Sequence, residues 1–391
     1  MDKKRVFVIG GGASGLMASI AAAKEGAAVT VLEQNEKPGK KICATGNGKC
    51  NFTNLKGYED AYRSDNPGFE KNILKQFSVD DTVDFFTRLG LYPVSKNNGY
   101  LYPHSGQASS VTDVLCMEAR NLGVKIKTNA RVQGISTENG SWKIHTEGWS
   151  YEGDAVVLAN GSRASSVSGS DGSGYEIAAA LGHSIIEPLP ALVPLKCKNT
   201  GFSGWAGVRT QGQVSLYIEG KKAAEETGEL QLTDYGVSGI PVFQISRYAV
   251  RALKKGQKVT LLLNFLPEFS LEELTSFLEQ RKQNCPYKGK KEFLTGLFSD
   301  KLAKVLLARE NLENAICAYP LKVTGYQPFE QAQVCCGGVD TKEVDAHSLE
   351  SRKRKGLYFA GELLDVDGKC GGYNLQWAWS SGYVAGKNAG R

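Results

Sequence analysis

The stretch "VIGGGASG", residues 8–15, decides how this chain is read. A short apolar strand over 4–9 leads into it. A helix from about Ala13 to Lys24 leads out, stopped by Gly26. "AAVTVLEQ", residues 27–34, adds a second strand and completes a β-α-β unit. Gly10, Gly12 and Gly15 carry the G-x-G-x-x-G spacing. Gly10 permits the tight turn, Gly12 lets the backbone approach a pyrophosphate, and Gly15 lets the helix pack against the strand. Ala13 and Ser14 complete the loop, whose helix start suits an anion. Glu33 ends the second strand, where a carboxylate accepts hydrogen bonds from an adenosine ribose. Gln34 and Asn35 follow it rather than an arginine, which disfavours a 2′-phosphate.

NAD and FAD both use this fingerprint, and three later stretches favour non-covalent FAD. "GKKICATGNGKCN", 39–51, is a second glycine-rich loop, offering Lys40, Lys41, Thr45, Gly46, Asn47, Gly48, Cys50 and Asn51 to a ribitol and ring. "VVLANG", 156–161, ends a buried strand in Ala159-Asn160-Gly161. "GLYFAGE", 356–362, ends in Gly361-Glu362, where two-dinucleotide-fold flavoproteins place a ribitol-binding acid. "GKCGGYNLQWAWSSG", 368–382, then reads as a glycine loop opening a helix. The N–H groups of Gly371, Gly372, Tyr373, Asn374 and Leu375 would face the negative charge that develops at flavin N1 and the C2 carbonyl on reduction.

The chain has 391 residues, 45 of them glycine, and a formal net charge of +6. That length suits two or three domains. The one dense basic run, Arg352-Lys353-Arg354-Lys355, reads as a solvated loop. No extended basic stripe suggests a nucleic-acid partner. No apolar run reaches the roughly eighteen residues of a membrane span, and the apolar stretch ending at Ile9 is short for a signal peptide. The nine cysteines therefore read as reduced thiols of a cytoplasmic protein. Cys335-Cys336 has no second pair nearby and the four histidines are scattered, so no metal site is expected.

An α/β pattern at both ends flanks a middle of different character. The expected fold is α/β: a discontinuous nucleotide-binding domain, 1–191 and 334–391, carrying an insert that is part sheet (192–269 and 316–333) and part helical (270–315). Helices are predicted over 77–90 and 109–123. Strands are predicted in "VKIKTNARVQGIS", "SWKIHTEG" and "DAVVLANG".

Across nearly its whole length the chain resembles the BaiN-type (also called YhiN-type) FAD-dependent oxidoreductases, some of which are aminoacetone-oxidase-like. "GGGASGLMA", "GKKICATGNGKCNFTN", "YPHSGQASSV", "GVSGIPVFQIS" and the closing "GLYFAGELLDVDGKCGGYNLQWAWSSG" carry the likeness. The resemblance implies a two-dinucleotide-fold-type FAD domain with a β-barrel-like insert and a helical insert. It implies FAD contacts at Gly12, Ser14, Glu33, Lys41, Thr45, Gly46, Asn51, Val132, Gly361 and Asn374. Three positions depart from the group's pattern. Lys49 stands for an arginine, "GYLYP" at 99–103 for "GRVFP", and Cys370 for a threonine.

The expected chemistry is two-electron transfer at flavin N5, with Tyr373, His104 and Tyr235 as candidate proton-handling groups. One reading is a reductase: NAD(P)H binds transiently and an activated C=C bond of an apolar carbonyl compound is reduced, a bile-acid-like substrate by resemblance. A second is a peroxide-producing amine oxidase, and a third is an RNA-binding flavoprotein, which the mildly basic charge allows but the lack of a basic stripe disfavours. Cys43 and Cys50 flank the second glycine loop as a redox disulfide would. Six residues separate them, and no second G-x-G-x-x-G is present, which speaks against a disulfide reductase.

Overall fold

The computed structural model describes residues 3–96, 99–198 and 204–391. The chain divides into two units, Met1–Pro188 with Val334–Arg391, and Leu189–Gln333.

The first unit is built on a five-stranded parallel sheet in the order Leu357–Phe359, Ala155–Leu158, Arg5–Ile9, Ala28–Leu32, Lys125–Lys127. Its central strands read as unbroken apolar runs, "VFVI" and "AVVL", because both faces are covered: one by helices, the other by strands 141–153, where the Tyr151 ring lies 5.6 Å from Phe7. The helix Ala13–Lys24 crosses from Arg5–Ile9 to Ala28–Leu32, as the β-α-β reading requires. The closing helix, Tyr373–Gly390, lies along it. A Cβ added at Gly382, Gly386 or Gly390 would strike the backbone of Ser14, Ala18 or Ala22. Two rows of small residues, each spaced by four, thus bring the two helix backbones into contact.

The predicted helices appear as Val79–Arg88 and Ala108–Asn121. The first is entered through a capping box between Ser78 and Asp81. "VKIKTNARVQGIS" behaves differently from the single strand expected. Lys125–Lys127 joins the parallel sheet, and Val132–Glu138 starts an antiparallel sheet with Ser141–Thr146 and Trp149–Gly153. Asn129, at φ 53°, makes the break.

The second unit is a closed barrel of six antiparallel strands: Leu195–Cys197, Gly236–Ser238, Lys221–Leu232, Arg209–Ile218, Val259–Asn264 and Tyr319–Tyr326. Closure leaves no strand edge. Val259, Leu261 and Leu263 alternate inward with the period of two that a barrel wall imposes. The unit's helices are Ile240–Lys254, Leu271–Asn284, Asp300–Leu307 and Leu312–Cys317.

The run Arg352–Lys355 is more than a solvated loop. Arg352 reaches Asp345 at 3.4 Å, and Lys353 reaches Glu343 at 2.6 Å and the Gly182 carbonyl at 2.7 Å. Arg354 donates to the Leu181 carbonyl at 3.3 Å. Lys353 and Arg354 thus hold the loop against the end of the helix Ser173–Ala180, where carbonyls attract them.

Candidate functional site

The three glycines of the first loop divide their work. A Cβ on Gly10, at φ 100°, would lie 2.5 Å from the Ala159 carbonyl oxygen, and one on Gly15 would strike the Gly10 carbonyl. A Cβ on Gly12 would meet nothing within 4 Å. Two glycines therefore serve packing, and the third opens space in front of a helix N-terminus that has no side-chain cap. Ala13 and Ser14 form the first helical turn, with Ser14 buried under Gly361.

Glu33 is 6% exposed, and both of its oxygens accept bonds from its own chain. Gly11 N–H donates to Oε2 at 2.7 Å, while the Asn35 backbone and side-chain amides both donate to Oε1 at 2.7 Å. The acid that sequence assigns to a ribose also locks the glycine turn, and a carboxylate has lone pairs for both tasks. Beside it lies a cavity of 320 Å³ lined by Gln34, Asn35, Arg131, Ser166, Gly169 and Asp171. Gln34 Nε2 donates to the Gly169 carbonyl, and Arg131 pairs with Asp171 at 2.7 Å. Burial opposes ionisation of Asp171, but hydrogen bonds from Ser173 and the Arg131 charge outweigh it and lower its pKa. Val132, buried, follows Arg131 at the start of its strand. Sequence reasoning missed Arg131, Ser166, Gly169 and Asp171 as lining residues. For Gly169 and Asp171 the available signal was the glycine-rich turn "GSDGSG", 169–174.

The second glycine loop is tied to the first through Gly39 N–H, which donates to the Gly11 carbonyl at 2.8 Å. A short helix Lys40–Ala44 leads into the turn Thr45–Gly48. Gly46, Asn47, Gly48 and Cys50 all have positive φ, between 53° and 80°. Thr45 Oγ1 closes the turn onto the Ile42 carbonyl at 2.7 Å. Lys40, Gly46, Asn47 and Gly48 are exposed. Lys41 Nζ instead pairs with Glu362 at 2.6 Å and reaches the Ala164 carbonyl at 3.3 Å. Ser162 Oγ donates to the same Glu362 oxygen at 3.0 Å. Glu362 thus holds Lys41 and Ser162 in place. Two amide oxygens are left over: Asn51 Oδ1 and Asn160 Oδ1 are buried and have no hydrogen-bond partner among the described residues. Ala159 is buried and bonded to Ile9, and Gly161 turns the chain at φ 75°.

Gly371 (φ 120°) and Gly372 (φ 96°) open the closing helix. A Cβ at Gly372 would sit 2.7 Å from the Thr53 carbonyl and 3.1 Å from Asn51 Oδ1. Asn54 Nδ2 donates to the Gly371 carbonyl at 2.8 Å, so residues 51–54 and 371–372 form one knot. The Asn374 side chain is used within the loop: it accepts from Gly368 N–H at 2.8 Å and donates to the Gly368 carbonyl at 2.9 Å. Its backbone N–H, with those of Tyr373 and Leu375, stands in the first turn, where no intrahelical acceptor exists. Gly361 is pinned between Ser381 Oγ (2.9 Å) and Trp377 Nε1 (3.0 Å).

The three candidate proton-handling groups lie on different elements. Tyr373 is half-buried at the helix start, edge-on to Tyr62, and burial raises its phenol pKa. His104 is exposed beside the Tyr92 ring. Tyr235 belongs to the second unit, in the turn before Gly236–Ser238. Cys43 is exposed, whereas burial lifts Cys50 to about 12 and Cys370 to about 11. Among the described residues no group of three or more His, Cys, Asp or Glu could hold a metal ion, and no helix is long and apolar enough to cross a membrane.

Comparison with known proteins places this geometry. The 3-dehydro-bile acid delta(4,6)-reductase of Clostridium scindens is 45% identical over 404 residues, covering 98% of each chain. The ribosomal RNA dihydrouridine synthase of Escherichia coli is 30% identical over 407 residues, covering 99% of this chain and 98% of that one. Among solved structures, 3-ketosteroid-delta4-(5alpha)-dehydrogenase from Rhodococcus jostii RHA1 aligns with 99% of this chain and 97% of its own, at TM-score 0.51 and 17% identity, which shows a shared fold. Residues 4–388 match the family described as HI0933-like protein Rossmann domain, and the chain belongs to that family.

Proposed function

We propose that this protein is an FAD-dependent oxidoreductase that reduces a C=C bond conjugated to a carbonyl in an apolar compound, with NAD(P)H as a transient electron donor. The observation that carries the reading is the knot of residues 51–54 with the start of the closing helix, in the same unit as the open space at Gly12. The residues present fit FAD. The open space before Gly12 suits a pyrophosphate. The polar cavity beside Glu33 suits an adenosine. The orphaned oxygens of Asn51 and Asn160 await donors such as ribityl hydroxyls or a ring N–H.

Bound FAD would supply two-electron transfer at N5. The chain's own part is placement and electrostatics. The first-turn N–H groups of Tyr373, Asn374 and Leu375, with the positive helix end, would favour negative charge on a ring bound in front of them. Lys41, fixed by Glu362, adds a positive charge beside the turn after Ala159-Asn160-Gly161. Asn54 and the Asn374 side chain hold the glycine turn rigid, so little reorganisation is needed as charge develops.

Both named relatives support reduction over amine oxidation. Each name denotes hydrogen added across a C=C bond conjugated to a carbonyl, in a bile-acid ring for one and a uridine ring for the other. The bile-acid reductase shares more of this sequence, which favours an apolar substrate. The test is an anaerobic titration of the FAD-loaded protein. NADH or NADPH should bleach the flavin bands, and a 3-oxo-4,6-diene steroid should restore them. Restoration by a ribosomal RNA transcript but by no steroid would move the substrate to RNA. Bands that bleach only with an amine, followed by peroxide in air, would favour the oxidase reading.

A further inference from the structure

Reduction of a conjugated C=C bond needs a proton as well as a hydride, and none of Tyr373, His104 or Tyr235 is shown to supply it. Resting on the reading above, we propose that the phenol of Tyr100 is the proton donor to the substrate's α-carbon.

The strand Tyr100–Pro103 is the middle of a three-stranded sheet, between Thr53–Asn54 and Pro93–Lys96. Pairing on both sides fixes which way its side chains point. Leu101 faces the core at 3% exposure, so Tyr100 and Tyr102 share the opposite face. Each ring lies against one of the two glycine turns. A Cβ on Gly371 would sit 2.9 Å from the Tyr100 ring and 3.1 Å from its hydroxyl. A Cβ on Gly46 would sit 3.6 Å from the Tyr102 ring. The two phenols therefore span the strip between the Gly46 turn and the Gly371 turn, and the bare glycine at 371 is what admits the Tyr100 hydroxyl.

Other proton-bearing groups near this strip are less suited. The Tyr62 hydroxyl already donates to the Tyr373 carbonyl at 2.8 Å. The Cys370 thiol is a weak hydrogen-bond donor. Tyr102 lies against the Gly46 turn rather than the helix start, with Lys96 Nζ 5.9 Å from its ring centre. Tyr100 is half-buried, and its hydroxyl has no hydrogen-bond partner among the described residues. Burial, with the neighbouring Cys370, Tyr102 and Tyr373, raises its pKa, so the proton stays on the oxygen at neutral pH. Two of the positions where this sequence departs from its resemblance, 99–103 and 370, meet here.

The step balances. Hydride from a two-electron donor, reduced flavin on this reading, forms a C–H bond at the β-carbon. The π pair shifts to make an enolate. The O–H bond of Tyr100 breaks, its proton forms the α-C–H bond, and the phenolate recovers a proton from water.

The test compares wild type, Tyr100→Phe and Tyr373→Phe as FAD-loaded proteins. Expected for Tyr100→Phe is a fall in enone-dependent flavin reoxidation of about 10²- to 10³-fold. Bleaching by the nicotinamide should proceed at the wild-type rate. The enone's Kd for the oxidised protein, read from perturbed flavin bands, should stay within about threefold, which separates proton donation from a binding or folding role. The alkaline fall of wild-type reoxidation should vanish in the variant. Reoxidation of Tyr100→Phe within threefold of wild type overturns the proposal, as does a larger loss in Tyr373→Phe. If the wild type itself reduces no enone, the functional reading falls with it, and that failure is recognised because it is already present without substitution.

Discussion

Lys41 and Glu362 meet at 2.6 Å although 321 positions separate them. Their side chains are only 23% and 18% exposed, so the pair is more than a surface ornament. It joins the second glycine loop to the turn after the strand Leu357–Phe359. Lys41→Met would leave the Glu362 carboxylate with Ser162 alone. We expect a loss of about 1–3 kcal/mol in the denaturant stability of the cofactor-free protein, and at least tenfold weaker FAD binding. Glu362→Gln, which keeps an acceptor for Ser162, should cost less on both measures. Equal stability of Lys41→Met and wild type would show that the pair contributes nothing.

The glycine fingerprint allows a sharper separation of folding from binding. Gly12 has φ −79°, and its missing Cβ faces open space. Gly12→Ala should therefore unfold within about 0.5 kcal/mol of wild type while its affinity for FAD falls steeply. Gly10→Ala must accept both a strained φ and a clash with the Ala159 carbonyl, and should lose roughly 3 kcal/mol or more. Thermal melts without FAD, paired with FAD titrations, check both.

The thiols should behave as buried groups, not as redox partners. Burial holds Cys370 at about 11 and Cys50 at about 12, so both are protonated at neutral pH. Alkylation of Cys370 should rise about tenfold per pH unit from pH 7 towards 11, since the thiolate is the nucleophile. Cys43→Ser should leave turnover unchanged. Lost turnover in that variant would revive a thiol-disulfide mechanism.

Acid sensitivity can be assigned to one carboxylate. Burial works against ionisation of Glu343, but Lys353 and the Ser184 backbone and hydroxyl outweigh it and bring it to about 2. A carboxylate depressed in the folded state stabilises fully above its unfolded value, near 4.3, and that stabilisation is lost as pH falls through about 2. The difference in Tm between wild type and Glu343→Gln should thus be greatest above pH 5 and close between pH 4.5 and 2.

The parallel sheet was legible because its strands obey local rules: apolar runs of four or five, glycines at a fixed spacing, an acid at a strand end. Glu33 was singled out this way, but its bond from Gly11 N–H was not foreseen, since it depends on how the turn folds back. Lys41 with Glu362, and Tyr100 with Gly371, were invisible as pairs. They are made by strand order and sheet register, which bring together segments that no short-range pattern links. The break at Asn129 was missed for the opposite reason: one residue at positive φ divides two β-branched runs that lie only four residues apart in sequence.

A ribosome releases the helix Ala13–Lys24 long before it makes Gly382, Gly386 and Gly390. During synthesis, Ser14, Met17, Ala18 and Ala22 must wait for the eighteen-residue closing helix to complete their surroundings. The barrel unit Leu189–Gln333 is continuous in sequence and can close while the chain is still being translated. We therefore expect nascent chains stalled before Tyr373 to be cut readily by protease in the first helix but not in the barrel. Cofactor capture, on this order of events, waits until the closing helix Tyr373–Gly390 has been made.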